Sequence, residues 1–360
     1  MITHTQRVKA ALEGKILDRP AFAAWGPHMN LVDRNAKDFA RATIDYQNAH
    51  HFDFIKVMPN GMYFPEAFGQ KLKDADFILD ETWQNVQVNA INDPHEWAKL
   101  KVPSMKEGVF AREIEAVKRI ADYFQGDVPV LPTVFSPFIW MGEMTGGFFR
   151  QDTIVAHFKY SEKYARIGLE IVNETNELLM EEFVKAGADG FFLGYQAGMA
   201  GLMGKEMFEE YGKKYDIQNI NKIKDKTWFN MAHICHGDAA LSEWFLDYPV
   251  EAFNWADQYP EHHSLGEMRK LTDKVLIGGL NHSDNGSYKD LSIMIKSDLS
   301  GSNRDTIKAH IKKKVYDAVE QAGPKLIVSG GCGWGLGSLP RFSLWEEVME
   351  EVGAELNAKK

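Results

Sequence analysis

Apolar residues along the chain follow two rhythms that take turns. Short runs rich in β-branched and aromatic residues occupy Arg19–Gly26, Phe52–Pro59, Val128–Pro137, Gly190–Tyr195, Thr227–Cys235, Ala252–Ala256, Val275–Leu280 and Leu326–Ser329. Between them lie longer stretches whose apolar residues recur at three- and four-residue spacing, the period of an amphipathic helix. ARIGLEIVNETNELLMEEFVKAG is one such stretch; Gly187 stops it and GFFLGY follows directly. TIKAHIKKKVYDAVEQAGPK repeats the same grammar, with Gly323–Pro324 as its stop signal. Strand–helix alternation implies parallel pairing through crossovers. Eight repeats point to an α/β fold closed into a (β/α)8 TIM barrel, expected as one domain over residues 1–360 with a helical extension before the first strand. The structural competitor is a doubly wound open sheet, but no G-x-G-x-x-G follows an early strand.

Composition narrows the function classes. Of the 360 residues, 44% are hydrophobic, enough for a sizeable core, yet no run of eighteen apolar residues offers a membrane span. The opening MITHTQRVKAALEGKILDRP is charged and helical in pattern where a signal peptide needs an apolar run, so a cytoplasmic location is expected. Net charge is −10, and no basic block exceeds Lys312–Lys314, which argues against a nucleic-acid partner. Two cysteines, 97 positions apart, exclude a secreted disulfide scaffold and leave both thiols for metal or catalysis.

The runs end in small or polar residues: WGPHMN, MPNGMY, FSPF, GYQAG, AHICHG, NWADQ, GGLNH and SGGCGWG. Barrel enzymes carry their chemistry on loops at the carboxyl ends of the strands, so these tails are expected to share one mouth. His233 and Cys235 stand two apart on the fifth run, and side chains i and i+2 of a strand share a face. Cys332 closes the eighth run. One imidazole and two thiolates suit zinc, and three protein ligands with a position left open is the catalytic arrangement. The plainer alternative is a pair of buried, inert cysteines. Both cysteines lie at strand ends, however, and glycines on either side of Cys332 strip bulk from it.

The H-x-C followed by a distant Cys in a G-C-G context resembles the zinc motif of the uroporphyrinogen decarboxylase superfamily, in its methyltransferase branch. That branch includes methylcobalamin:coenzyme M methyltransferases and methoxyarene O-demethylase methyltransferases; cobalamin-independent methionine synthase shares a related site. The likeness runs from RVKAALEGKILDRP through FSPFIWMGEMTGG and GYQAGMAGLMGKEMFEEY to IVSGGCGWG. Three departures separate this chain from the decarboxylases. WGPHMNL replaces their arginine-rich segment, VMPNGMY replaces the segment with their aspartate, and S-G-G-C-G stands where they have N-L-G-H-G. The resemblance implies a (β/α)8 barrel and zinc-dependent methyl transfer to or from a corrinoid carried by a separate protein. In the methionine synthase site an acidic ligand follows the H-x-C cysteine by about one βα unit. Asp257, 22 positions after Cys235, matches that place as a fourth ligand, with a loop or helix-cap carboxylate as the alternative reading. His236 and His282 are competitors for the same role.

Trp25, Tyr63, Phe135, Phe138, Trp140, Tyr195, Trp255 and Trp334 put aromatics near the strand ends, where most would serve packing. Trp25, Tyr195, Trp255 and Trp334 are the expected substrate contacts, with Glu143 and Asn281 as polar ones. Few Arg or Lys residues lie near the strand ends, and an anionic substrate wants a cation. The methyl donor is therefore expected to be a methoxylated aromatic, with a thiol as the second class. Two other functions compete: a decarboxylase of porphyrin metabolism without metal, and a non-catalytic barrel that binds a tetrapyrrole or corrinoid protein. A homodimer is left open.

Overall fold

The structure, a computed structural model, describes residues 2–26, 31–74, 86–147, 151–235, 239–281, 301–333 and 339–358. Each of the eight runs carries a strand, which in the fourth and eighth continues one residue past the run. They are β1 Ala21–Phe22, β2 Ile55–Val57, β3 Val130–Phe135, β4 Phe192–Gln196, β5 Met231–Cys235, β6 Ala252–Asn254, β7 Val275–Leu280 and β8 Leu326–Gly330. All pair in parallel, in the order β1-β8-β7-β6-β5-β4-β3-β2. That is the order of an eight-stranded barrel read from the seam between β1 and β2.

Backbone and side chain together bridge the seam. The Asp53 N–H donates to the Phe22 carbonyl at 2.8 Å, and the Asp53 carboxylate accepts from the Phe22 N–H at 2.8 Å. The same buried carboxylate accepts from Arg19 Nη1 at 2.6 Å and lies 2.8 Å from His4 Nδ1. Burial alone would push the Asp53 carboxyl up, but the Arg19 charge and the His4 contact outweigh it and hold it below the usual range. The D-R-P segment is thus an anchor at the amino-terminal end of the barrel, the end that serves stability. It also ties down the first helix, His4–Leu12, which Thr3 and Gln6 cap reciprocally.

Crossover helices cover the outside. The longest, Gln151–Lys185, is kinked at Ser161 and stops before Gly187, whose φ of 101° only glycine adopts without strain. Gly301–Ala322 stops in the same way before Gly323, at φ 68°. Between β2 and β3 the chain adds an antiparallel pair, Lys71–Leu72 with Val86–Val88, too short to leave an alternating pattern in the sequence. Among the described residues no helix is long and apolar enough to cross a membrane.

Register decides what faces the barrel interior. Phe135, Gly194, His233, Asn254 and Ile277 are successive partners across β3 to β7, so their side chains share one face with His233. Tyr195, Ile234, Phe253 and Trp255 have the opposite parity and face the helix layer. Below that row Phe54, Phe192, Phe229 and Met231 fill the interior and are buried.

Candidate metal centre

His233 and Cys235 end β5, and Cys332 follows β8 by two residues. One ligand atom from each of the three lies within 4.8 Å of the others, and neither cysteine is in a disulfide. Cys332 Sγ is 3.7 Å from His233 Nε2. Tetrahedral zinc with ordinary bond lengths would separate a sulfur and a nitrogen ligand by about 3.6 Å, so this pair already stands at ligand spacing. Gly331 makes the approach feasible: a Cβ there would meet Ala256 Cα at 2.3 Å, so a side chain would hold the chain carrying Cys332 away from the end of β6.

Asn254 determines how His233 presents itself. Its Nδ2 donates to the Ile277 carbonyl at 2.8 Å and to the Gly330 carbonyl at 2.9 Å, which settles the orientation of the amide. Its Oδ1 then faces His233 Nδ1 at 2.6 Å, and an acceptor there requires the proton on Nδ1. Nε2 keeps its lone pair and points toward Cys332. This is the outer-shell arrangement that fixes the tautomer of metal-binding histidines. A nitrogen lone pair and two sulfurs in this geometry fit zinc.

The environment holds a cation that the sequence reading missed. Lys56, at the centre of β2, shares the inward face with Phe54. Its Nζ lies 4.1 Å from the Phe192 ring centre and 5.8 Å from that of Trp25. Burial lowers its pKa to about 8, with the Cys332 and Cys235 thiols acting in the opposite direction. The few cations expected near the strand ends did not include this one, and a lysine in period-two register with Phe54 was the signal. Gln196 is a second residue not foreseen; it is Cys235's partner in register.

Of the expected substrate contacts, Trp25 is placed inside, edge-on to His233 at 6.4 Å and to Phe192 at 5.2 Å. Tyr195 and Trp255 depart from expectation. Tyr195 packs outward against Phe245 and Tyr248, and the Trp255 indole donates to the His263 carbonyl at 2.7 Å. Both have the wrong parity to reach the mouth. Tyr63, Phe138 and Trp140 serve packing, against Trp140, Phe158 and Phe64 respectively, while Phe135 fills the space beside Gly194 inside the barrel. Glu143 is buried on the helix Pro137–Met144; burial pushes its carboxyl well above the usual range, and neither carboxyl oxygen has a hydrogen-bond partner among the described residues. Asn281 is buried immediately after β7. Trp334, His236 and His282 lie outside the described residues.

Asp257 is not among the side chains whose ligand atoms meet at this centre. Its carboxylate accepts from the Gly279 N–H at 3.1 and 3.2 Å and from Gln258 Nε2 at 2.6 Å. Burial raises its pKa to about 6 in spite of those hydrogen bonds. The structure thus favours the loop-carboxylate alternative, with Asp257 bracing the end of β6 against β7. A cavity of about 30 Å³ opens between β1, β2 and the helix Ala36–His50, bordered by Trp25 and Lys56 but not by His233, Cys235 or Cys332.

Comparison with known proteins bears on the family and the fold. The family model for uroporphyrinogen decarboxylase (URO-D) matches residues 7–283. Over 184 residues the chain is 22% identical to the methylcobamide:CoM methyltransferase MtbA of Methanosarcina acetivorans, an alignment covering 51% of this chain and 52% of that protein. The chain thus spans about half the length of the curated relative it matches. Among solved structures, a methyltransferase from Methanosarcina mazei superposes with a TM-score of 0.75 at 16% identity, covering 98% of this chain and 99% of that one. A B12-independent methionine synthase from Shewanella sp. W3-18-1 gives 0.52 at 13% identity, covering 94% and 96%. At these identities the two structures speak for the fold.

Proposed function

Because the chain belongs to the uroporphyrinogen decarboxylase (URO-D) family, we propose that it is a methyltransferase of that family. It would bind zinc through His233, Cys235 and Cys332 and move a methyl group between a small substrate and the cobalt of a separate corrinoid protein. The observation that carries this reading is the ligand set: two sulfurs and an imidazole nitrogen, within 4.8 Å of one another, at the carboxyl ends of barrel strands. The name of the Methanosarcina acetivorans relative supports it, since that protein acts between a methylcobamide and coenzyme M.

Methyl transfer is a displacement at a carbon that offers no charge to grip, so a site must activate the atom that gives or receives the methyl. Zinc supplies that chemistry when bound, by deprotonating a thiol or by polarising an ether oxygen. The chain's own residues do the rest. Asn254 holds the Nδ1 proton of His233 so that Nε2 stays available. Gly331 brings Cys332 to the centre, and the Trp25 and Phe192 rings wall the interior beside His233.

The test is turnover. The protein, reduced cobalamin and a panel of methoxylated aromatics should give methylcobalamin, seen in the cobalt absorbance; thiols with methylcobalamin test the reverse direction. His233→Ala should abolish both. Release of carbon dioxide from uroporphyrinogen, with no methyl transfer from any donor, would contradict the proposal.

A further inference from the structure

Inside the barrel, two hydrogen-bond donors stand beside the metal centre with no acceptor among the described residues. The Trp25 indole N–H is buried and unpartnered. Lys56 donates no hydrogen bond to a described residue: its ammonium lies 4.1 Å from the Phe192 ring centre and 5.8 Å from that of Trp25, within electrostatic reach of Cys332 and Cys235. His233 touches the same two rings, at 5.0 Å and 6.4 Å. The ammonium and the His233 imidazole therefore both pack against the Phe192 and Trp25 rings. Zinc would take up the charge of both cysteines, which would leave this partly buried ammonium short of a counter-charge; beside a buried indole N–H with no described acceptor, it marks an anion site.

Charge counting gives the anion its identity. Two thiolates and a neutral imidazole cancel a divalent metal, so Lys56 leaves the centre one positive charge in excess. We propose that Lys56 and Trp25 hold the negatively charged atom of the demethylated substrate, which makes the substrate a thiol or a phenol and not an amine. This inference rests on the methyl-transfer reading above. When a methyl leaves as a CH3+ equivalent, its former sulfur or oxygen keeps the bonding pair and turns anionic, while the reduced corrinoid supplies the pair for the new bond. An amine nitrogen that loses a methyl from a quaternary ammonium goes from cation to neutral, and a fixed lysine would repel its starting form. Lys56 is thus a positioning residue that favours the demethylated anion over the neutral methyl ether.

Binding to zinc-loaded protein tests this without turnover, through quenching of tryptophan fluorescence by ethanethiol, catechol, their methyl ethers and tetramethylammonium. Lys56→Met should weaken ethanethiol or catechol by about tenfold or more, the size of a one-unit electrostatic effect, and leave the methyl ethers within about twofold. Lys56→Arg should recover most of the loss, and Trp25→Phe should weaken the same anions while keeping a ring in place. Which of the two anions responds identifies the thiol or the phenol as the source. Equal weakening of anions and ethers would reduce Lys56 to packing and overturn the inference, as would unchanged anion binding or preferential binding of tetramethylammonium. Failure of the underlying reading shows separately, as wild-type protein that takes up no zinc.

Discussion

Asn254 and His233 are partners in register on β6 and β5, and their side chains meet at 2.6 Å with the shared proton on His233 Nδ1. The Asn254 amide is pinned by two backbone carbonyls, so it accepts from the imidazole and leaves the far nitrogen bare. Asn254→Ala should therefore weaken zinc binding by about tenfold to a hundredfold, as loss of outer-shell partners does. It should also cost roughly 1–3 kcal/mol of stability, because two buried carbonyls lose their donor. Competition with a chromogenic chelator reads the first effect and urea unfolding the second. Zinc affinity equal to wild type would show that the tautomer of His233 needs no help.

Asp257 is assigned to the loop brace, and its protonation gives a signed test. Its pKa in the folded chain is raised to about 6 from 3.8, so the folded state holds the proton more tightly. The stabilisation is complete below 3.8, declines as pH climbs toward 6, and is gone above it. Asp257→Asn keeps an acceptor for the Gly279 N–H but cannot ionise. Urea unfolding at several pH values should show the decline flattened, with a gain of roughly 1–3 kcal/mol at neutral pH. Zinc affinity should stay within about twofold, against the tenfold to hundredfold that loss of a ligand or its support costs. A zinc loss of that larger size would return Asp257 to the metal.

At the opposite end of the barrel the sign reverses. Asp53 is held below its usual range, so its contribution is fully present above the unfolded carboxyl value and is lost as pH falls through the folded one. Asp53→Asn should destabilise by about 3 kcal/mol, the lower end for a broken buried pair, since it takes from Arg19 its buried counter-charge and leaves only the exposed Glu350. Thermal unfolding at neutral pH measures this. A loss below about 1 kcal/mol, the size of a surface pair, would mean that the seam does not depend on this carboxylate.

The eight strands were legible because each is a short apolar run between helical periods, and Val275–Leu280 was bounded to the residue. His233 and Cys235 were legible because a strand brings i and i+2 to one face. What could not be read was register between strands. Asn254 stood in the segment NWADQ, yet nothing local says that it falls opposite His233. Lys56 sits unremarked within Phe52–Pro59, and only its strand parity with Phe54 puts it inside. Tyr195 and Trp255 were misplaced for the same reason, since one residue along a strand exchanges mouth for helix layer. Asp257 matched a ligand position by distance along the chain, while its side chain turned toward the amide of Gly279.

X-ray absorption at the zinc edge, on protein purified without tag or chelator, tests the metal centre most directly. Close to one zinc per chain is expected, with two sulfur neighbours at about 2.3 Å and a histidine nitrogen at about 2.0–2.1 Å. In Cys332→Ser one sulfur neighbour should disappear. A zinc shell of oxygen and nitrogen alone, or a wild-type spectrum unchanged in the Cys332→Ser protein, would contradict the assignment of His233, Cys235 and Cys332 as the ligands.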